Sequence, residues 1–373
     1  MKSNPDILLL GDYSNFHRTL ATGLRRRGCR VTIASDGTRW MDTERDVDIS
    51  RADNKFGGMR LWWRLTHGDL AHHLRGHDVV AIHDLNFVRL RPERLRPLLD
   101  SLKRHNGAVY LSAISTDIAY LDMLEATDSP LRYSEWFVDG APSRYHRDEE
   151  QQWRQWHADA LVSYQRHALD TIDGAVSGLY EYHLGMERAL GADRVAYGGI
   201  PVDTTLYEPV ALPDTIDCVR LFLGRDRTRM AAKGSDLLEY AAREAIARHP
   251  GRAELVIVEN RPFAEFTELL RSAHVVLDQI YSYTPATTAL MAMSYGLNVV
   301  SGAEEEYYDF IGETSNRPIY NAPTDAEALT QQIEDIITHP ERIAARGRAS
   351  REFAVKHNDV NVVADRFMRA WGI

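Results

Sequence analysis

From end to end the chain alternates short, β-rich apolar runs with segments of helical period. In the first half the runs are Asp6–Leu10, Arg30–Ala34, Asp78–Ile82, Ala108–Ser112 and Gly174–Ser177. In the second half they are Cys218–Leu223, Glu254–Val258, His274–Asp278, Leu297–Ser301 and Arg317–Tyr320. Between the first two runs, Ser14–Gly28 places Phe16, Leu20 and Leu24 four apart and ends on glycine, which predicts an amphipathic helix. Gln151–Ile172 predicts a long helix with Trp153, Trp156, Ala160, Leu161, Tyr164, Ala168 and Ile172 on one side, a stripe that reads as core. Helical patterns also follow Gly234, Pro262, Pro285 and Pro323, and Thr324-Asp325-Ala326-Glu327 has the capping-box form that starts a helix near Asp325. Strands separated by helices pair in parallel, because each crossover returns the chain to the same edge. The fold class is α/β, built as two doubly wound, Rossmann-like domains.

The chain of 373 residues is long enough for two such cores. Gly198–Asp214 is rich in glycine and proline and lacks a helical period, so the boundary falls there. The expected organisation is a first domain over 1–198, a linker over 199–214 and a second domain over 215–348. A terminal helix over 349–373, carrying Phe353, Val360, Val363, Phe367, Met368 and Trp371, is expected to pack back on the first domain. Ligands of open α/β sheets bind beyond the carboxyl ends of the strands, so two facing sheets would put the site in a cleft between domains.

A net charge of −10 argues against a dedicated nucleic-acid binder. Cys29 and Cys218 form no disulfide or metal framework, which fits a reducing cytoplasm. The chain contains no run of 18 apolar residues, and its first apolar run reads as a strand and not as a leader. The expected location is cytoplasmic, with the inner membrane face as a variant. Arg25-Arg26-Arg27 and the Arg89–Pro97 stretch are either solvated charge or a docking face for anionic lipid or an anionic acceptor.

Neither a P-loop nor a GxGxxG after the first strand occurs, and HExxH is missing. His72-His73 lies in a helical context, where neighbouring side chains point to different sides, and Asp46-Val47-Asp48 reads as a chance match to a metal-binding triplet. No metal site is expected. The strongest constellation is Leu221–Leu238: a strand ending at Gly224, then Arg225, a polar loop, and Lys233-Gly234 opening a helix. An Arg fork and a Lys point charge at a sheet edge suit a diphosphate. In Leu277–Gly302 a strand ends at Asp278 and Thr284-Pro285 is expected to start an apolar helix stopped by Gly296. Free N–H groups at such a start favour phosphate, and Ser282, Thr284, Thr287 and Thr288 add hydroxyls. Both elements share one predicted sheet edge.

On these residues the chain resembles GT-B fold glycosyltransferases, close to the retaining family 4 group. Gly224-Arg225 and Lys233-Gly234 match that group's Gly-Arg, loop, Lys-Gly pattern. Gly199–Tyr207 is similar to its interdomain Pro-Asn-Gly-Val-Asp segment, without the Asn-Gly, and Ala292–Gly296 followed by Val299-Val300 resembles the segment after its Glu-x7-Glu. The two family glutamates, which contact the donor sugar and the ribose, fall at Tyr283 and Met291 here. Met291 offers no useful acceptor; Glu304-Glu305-Glu306 either supplies a substitute carboxylate or forms a solvated acidic turn.

The resemblance implies donor binding by Gly11, Gly224, Tyr283, Thr284, Thr287, Thr288, Glu304 and Glu306, with Arg225 and Lys233 stabilising the leaving diphosphate. Gly11 would allow close approach of the diphosphate. The first domain would hold the acceptor through Ser14, Asn15, His17 and His83. Ser14 is equally a helix cap, His17 equally a surface residue, and Asp117 either a polar group near the reacting carbon or a loop cap. The base is framed by Val258–Phe266, and acceptor choice rests with loops such as Gly37–Met59. The expected activity is transfer of a sugar from a nucleoside-diphospho-sugar, UDP or GDP, to a hydroxyl of a glycan or glycolipid. It proceeds with retention, without metal or other cofactor. A nucleotide-sugar 2-epimerase and a non-catalytic nucleotide-sugar-binding subunit are the rival readings.

Overall fold

The computed structural model describes residues 4–37 and 43–373. Its strands, in chain order, are β1 (Asp6–Leu10), β2 (Arg30–Ser35), β3 (Val47–Asp48), β4 (Val79–Ile82), β5 (Ala108–Ala113), β6 (Phe137–Val138), β7 (Ala141–Pro142), β8 (Gly174–Ser177), β9 (Val195–Tyr197), β10 (Val219–Gly224), β11 (Ala253–Val258), β12 (Val275–Leu277), β13 (Asn298–Ser301) and β14 (Tyr320–Asn321). They form one parallel sheet ordered β3-β2-β1-β4-β5-β8-β9, a second ordered β11-β10-β12-β13-β14, and the small antiparallel ribbon β6-β7. Both large sheets are doubly wound. Strand order reverses between β1 and β4 in the first, and between β10 and β12 in the second.

Two compact units contain these sheets. The first comprises Met1–Ser129, Glu150–Asp203 and Val360–Ile373; the second comprises Pro130–Glu149 and Thr204–Asp359. In the first unit Ile7 pairs with Val31 on one side and Val79 on the other, and Ile7 to Leu10 are all fully buried. Covered on both faces, β1 reads as a continuous apolar run without alternation. One face packs Leu8, Leu10 and Val80 with Leu95, Leu98, Leu99, Ala168 and Leu169 from the helices Pro92–His105 and Asp159–Thr171. In the second unit Leu221, Leu223, Val275 and Leu277 pack with Leu238, Ala241 and Ala245 of helix Ser235–Arg248 and Leu329 and Ile333 of helix Ala326–Thr338.

Several elements differ from the sequence expectation. The long helix over 151–172 is two, Glu150–Trp156 and Asp159–Thr171. Ala158 is extended (ψ 129°), and the His157 ring donates to the Trp153 carbonyl at 2.9 Å. Only the second helix buries residues, so Trp153 and Trp156 are not core. The terminal helix is also divided, at extended Asp359, into Ile343–Asn358 of the second unit and Val360–Trp371 of the first. The latter packs on helix Phe16–Arg26 at Gly23, where a Cβ would meet the Val360 carbonyl oxygen at 2.4 Å. β3 and β9, two and three residues long, were not foreseen. Asp325, not Thr324, caps its helix, accepting from Ala328 N at 2.9 Å. Pro130–Glu149, expected within the first domain, belongs to the second unit. Arg132 N donates to the Tyr283 hydroxyl at 2.7 Å, and Arg144 pairs with Asp236. No described helix is long and apolar enough to cross a membrane. The loop Gly37–Met59 lies outside the described residues at 38–42.

Candidate functional site

Each sheet carries a polar cluster where its strand order reverses, which is where doubly wound sheets leave a crevice for ligands. In the first unit the strand ends are Leu10 of β1, Ile82 of β4 and Ala113 of β5. Beyond β1 the chain turns through Gly11 (φ 79°), then Ser14 (φ 51°) and Asn15 (φ 63°), before helix Phe16–Arg26. Two successive left-handed residues other than glycine cost about 1 kcal/mol or more each, so the turn is held against strain. Asp12 holds it. Its Oδ1 accepts from His17 N at 2.9 Å, and Asn15, at the cap position, contributes no side-chain cap. Ser14 is therefore not the cap either.

His17 is fully buried, not a surface residue. Its Nδ1 donates to the Gly11 carbonyl at 2.7 Å, which leaves Nε2 to accept from Ser112 Oγ at 2.9 Å. Burial, with the nearby His83 charge, pushes its pKa down to about 3, so the ring is neutral. It braces the turn with both nitrogens engaged. Asp117 is the buried N-cap of helix Ile118–Glu125, accepting from Tyr120 N at 3.0 Å. Burial pushes its carboxyl up to about 7, with the Asp84 and Asp122 charges acting in the same direction.

His83 and Asp84 follow β4 directly. His83 Nε2 lies 2.9 Å from Asp84 Oδ2, while His83 Nδ1 and Asp84 Oδ1 are buried without a partner. Burial alone would lower the His83 pKa; Asp84 and Asp12 outweigh it and raise the value. A Cβ on Gly11 would fall 1.9 Å from His83 Nδ1, so only glycine fits against this ring. The result is an oriented His–carboxylate dyad with one ring nitrogen and one carboxylate oxygen unspent. Both unspent atoms are buried, with His83 Nδ1 packed against Gly11, so the pair braces the turn after β1 and presents no open nitrogen to a ligand.

In the second unit β10 ends at Gly224 and β12 at Leu277. Arg225 N donates to the Val258 carbonyl at 2.9 Å, and its side chain pairs through Nε with Glu259 and through Nη1 with Glu239. Its Nη2 donates to no protein acceptor among the described residues. Arg227 joins Glu259 at 2.9 Å. Burial works upward on Glu259, but Arg225 and Arg227 hold it below the usual carboxylate range. Lys233 lies 3.5 Å from Asp278, which is buried and also accepts from Ser301 Oγ at 3.3 Å. Two cations thus stand at this edge, fixed by carboxylates and with donors to spare.

The apolar helix begins at Thr287, not after Pro285. Ala286 is its extended cap residue and gives no side-chain bond, so the first-turn N–H groups at Thr287 and Thr288 lack a side-chain cap. Thr284 is buried in the preceding turn, where Ser282 Oγ donates to its carbonyl at 2.7 Å. Tyr283 is buried under Arg132, whose guanidinium lies 5.4 Å from its ring centre. Glu304 receives Tyr133 OH, Asn321 Nδ2 at 2.8 Å and Arg132 at 2.6 Å, and Glu306 pairs with Arg132. Glu305 pairs with Arg317. The acidic turn is therefore committed to protein partners, chiefly from Pro130–Glu149. Met291 is buried.

Arg25, Arg26 and Arg27 are each paired within the first unit, with Asp46, Asp203 and Asp365, so this run is structural. Asp48 accepts from Ser50 N and faces Arg45. The His72 and His73 rings, on the 3₁₀ turn Ala71–Leu74, lie 3.8 Å apart instead of diverging. No group of three potential metal ligands assembles among the described residues. Sequence reasoning passed over Asp12, Asp84, Glu239, Glu259 and Arg132 as site residues. Asp12 and Asp84 were within reach, since each follows a strand end and adjoins a residue already singled out. Glu259 lies within the Val258–Phe266 stretch read as framing the base, while Glu239 and Arg132 carry no local signal.

No family model matches the sequence, and no curated protein sequence matches it. Solved structures do. Sucrose-phosphate synthase from Thermosynechococcus elongatus is 13% identical, with a TM-score of 0.61 over 99% of this chain and 98% of that one. Anabaena Alr3699/HepE, in complex with UDP and glucose, is 13% identical with a TM-score of 0.60 over 99% of both chains. A protein described as a UDP-N-acetylglucosamine 2-epimerase, from Listeria monocytogenes, is 11% identical with a TM-score of 0.54 over 99% of this chain and 95% of that one. These likenesses show the fold, two Rossmann-like domains of the GT-B kind, over nearly the whole chain.

Proposed function

We propose that this chain is a glycosyltransferase that moves a sugar from a nucleoside-diphospho-sugar to an acceptor hydroxyl. The observation that carries the reading is the cationic cluster at the β10/β12 reversal, where Arg225 and Lys233 are held by carboxylates with donors to spare. The Anabaena neighbour, in complex with UDP and glucose, supports a nucleotide-sugar donor. As the anomeric C–O bond to phosphate breaks, charge develops on the diphosphate. Arg225 Nη2, Lys233 and the N–H groups of Thr287 and Thr288 stabilise it. The acceptor oxygen bonds to the anomeric carbon, and its proton passes to the departing phosphate. With the proton taken on the leaving-group side, the sugar retains its configuration, as in the family 4 group that the motifs resemble. Arg225 and Lys233 carry the charge stabilisation, so no metal enters the reading.

The first test is thermal stabilisation by UDP, GDP and ADP, with and without chelator. Occupancy at 100 times Kd adds about 2.7 kcal/mol of stability. The reading expects a chelator-insensitive shift with one nucleotide, lost in Arg225→Ala. A shift abolished by chelator, or identical in the variant, would sink it. The Listeria neighbour, described as a UDP-N-acetylglucosamine 2-epimerase, favours a second reading, a nucleotide-sugar 2-epimerase. Product analysis without acceptor separates the two: an epimerase interconverts the sugar nucleotide, and a transferase leaves it intact or slowly hydrolysed.

A further inference from the structure

The helix Gly57–Thr66 turns its apolar residues both ways. Leu61 and Leu65 enter the first unit's core, while Phe56, Met59 and Trp63 are 62%, 52% and 55% exposed. Positions 56, 59 and 63 share one side of the helix, opposite Leu61 and Leu65. Solvated chains rarely leave three large apolar side chains in one row. Charge sits beside them. Residues 51–66 hold Arg51, Lys55, Arg60 and Arg64 against one acid, Asp53, in a chain whose net charge is −10. Lys55 and Arg60 are exposed and make no ion pair among the described residues, and Lys55 Nζ lies 6.0 Å from the Phe56 ring centre. Arg51 and Arg94 flank the helix at Gly58, each 3.5 Å from where a Cβ would stand. Arg94 brings the basic Arg89–Pro97 stretch against the same helix.

From this we infer that helix Gly57–Thr66 docks on an anionic lipid surface. Phe56, Met59 and Trp63 insert at the headgroup boundary, and Lys55 and Arg60 meet the phosphates. A row of aromatic and thioether side chains edged by cations is the composition that lies in a membrane interface. Charge complementarity selects this occupant. A second copy seated on the face would bring the same uncompensated cations to it, and a neutral apolar partner would leave Lys55 and Arg60 unpaired. The Arg25–Arg27 run does not serve, since its three side chains are spent on Asp46, Asp203 and Asp365.

The test is flotation of the full chain with vesicles of phosphatidylcholine, with and without phosphatidylglycerol, at rising salt. The expected result is binding to the anionic vesicles alone, weakening with salt. Phe56→Ser/Met59→Ser/Trp63→Ser should weaken it about tenfold or more, and Lys55→Gln and Arg60→Gln by roughly fivefold each, with unchanged melting temperatures. Because the triple variant alters a helix, Trp63→Phe is the second probe. It should still bind, but lose part of the fluorescence quenching that brominated lipid produces in the wild type. Equal binding to neutral vesicles, unchanged binding of the triple variant, or unchanged quenching in Trp63→Phe would overturn the inference. So would a wild-type dimer that becomes monomeric in the triple variant without any vesicle binding.

Discussion

The two strand reversals solve opposite problems with the same topology. At β1/β4 the polar groups are buried and mutually satisfied: Asp12 caps, His17 braces, and only His83 Nδ1 and Asp84 Oδ1 remain unspent. At β10/β12 the groups are charged and partly exposed, and each cation is steered by carboxylates without being consumed by them. A buried polar cluster fixes position, because any unpaired group there costs about 1–3 kcal/mol. A partly solvated ion network holds charge ready for a charged ligand at lower desolvation cost. The difference assigns geometry to the first reversal and charge stabilisation to the second.

The sharpest way to break that division is to loosen the His83–Asp84 pair. His83→Gln should lower turnover by roughly ten- to a hundredfold, the scale of a slightly misplaced reacting group, with little effect on nucleotide affinity. If affinity falls and turnover per bound donor does not, the first reversal is a binding site and the comparison fails. Lys233→Ala tests the other side. It should cost about 10²–10³ in turnover, as loss of one charge-stabilising donor does, with a smaller loss of stability from leaving buried Asp278 only its Ser301 partner. Parallel loss of folding and activity would make Lys233 structural.

These two residues also show what was legible. Lys233-Gly234 could be read because a cation after a strand and loop is a local pattern, and the alternation of apolar runs with helical periods conveyed both sheets. The dyad was half visible: His83 was singled out by its strand end, but the use of Asp84 depends on Gly11 arriving from another strand. Tyr283, Glu304 and Glu306 were read as donor ligands from the family resemblance, Tyr283 at the position of a family glutamate and the acidic run as its substitute. Nothing local in the sequence says that Arg132 and Tyr133, some 150 residues earlier, cover them. Helix ends at Ala158 and Asp359 were missed because neither residue is a glycine or proline. Each break is fixed by a tertiary or ring-to-backbone bond and not by propensity.

Gly11→Ala probes how tightly the first reversal is built. The added methyl would stand 1.9 Å from His83 Nδ1 at a φ of 79°, so the ring must move. The expected cost is about 2–3 kcal/mol in chemical denaturation, with loss of the His83-dependent part of the rate. The equivalent change at Gly28, which has a similar φ of 85° but open space around it, should cost only the backbone term and leave the rate alone. Equal penalties at the two sites would mean that His83 yields freely.

A further effect is electrostatic and distinguishes a cap from a reacting group. Asp117 titrates near 7 in the folded chain and near 3.8 unfolded, because burial opposes its charge. Between those values the folded state holds a proton that the unfolded state has lost, so this group makes stability fall as pH rises, by about 1.4 kcal/mol per pH unit. His17 acts in the opposite sense: neutral when folded down to about 3 and protonated when unfolded below 6.5, it makes stability rise with pH between those values. The two slopes oppose each other from about pH 4 to 6.5. Asp117→Asn keeps an N-cap side chain and removes only the first slope. Relative to the wild type, urea unfolding of the variant should therefore gain stability steadily from about pH 4 to 7, the difference holding constant above that. Turnover at neutral pH should change little, since a cap needs an acceptor and not a titrating proton. A variant that tracks the wild type at every pH would show that Asp117 is ionised normally. One that keeps its stability profile but loses turnover would move Asp117 from the scaffold of the first reversal to its chemistry.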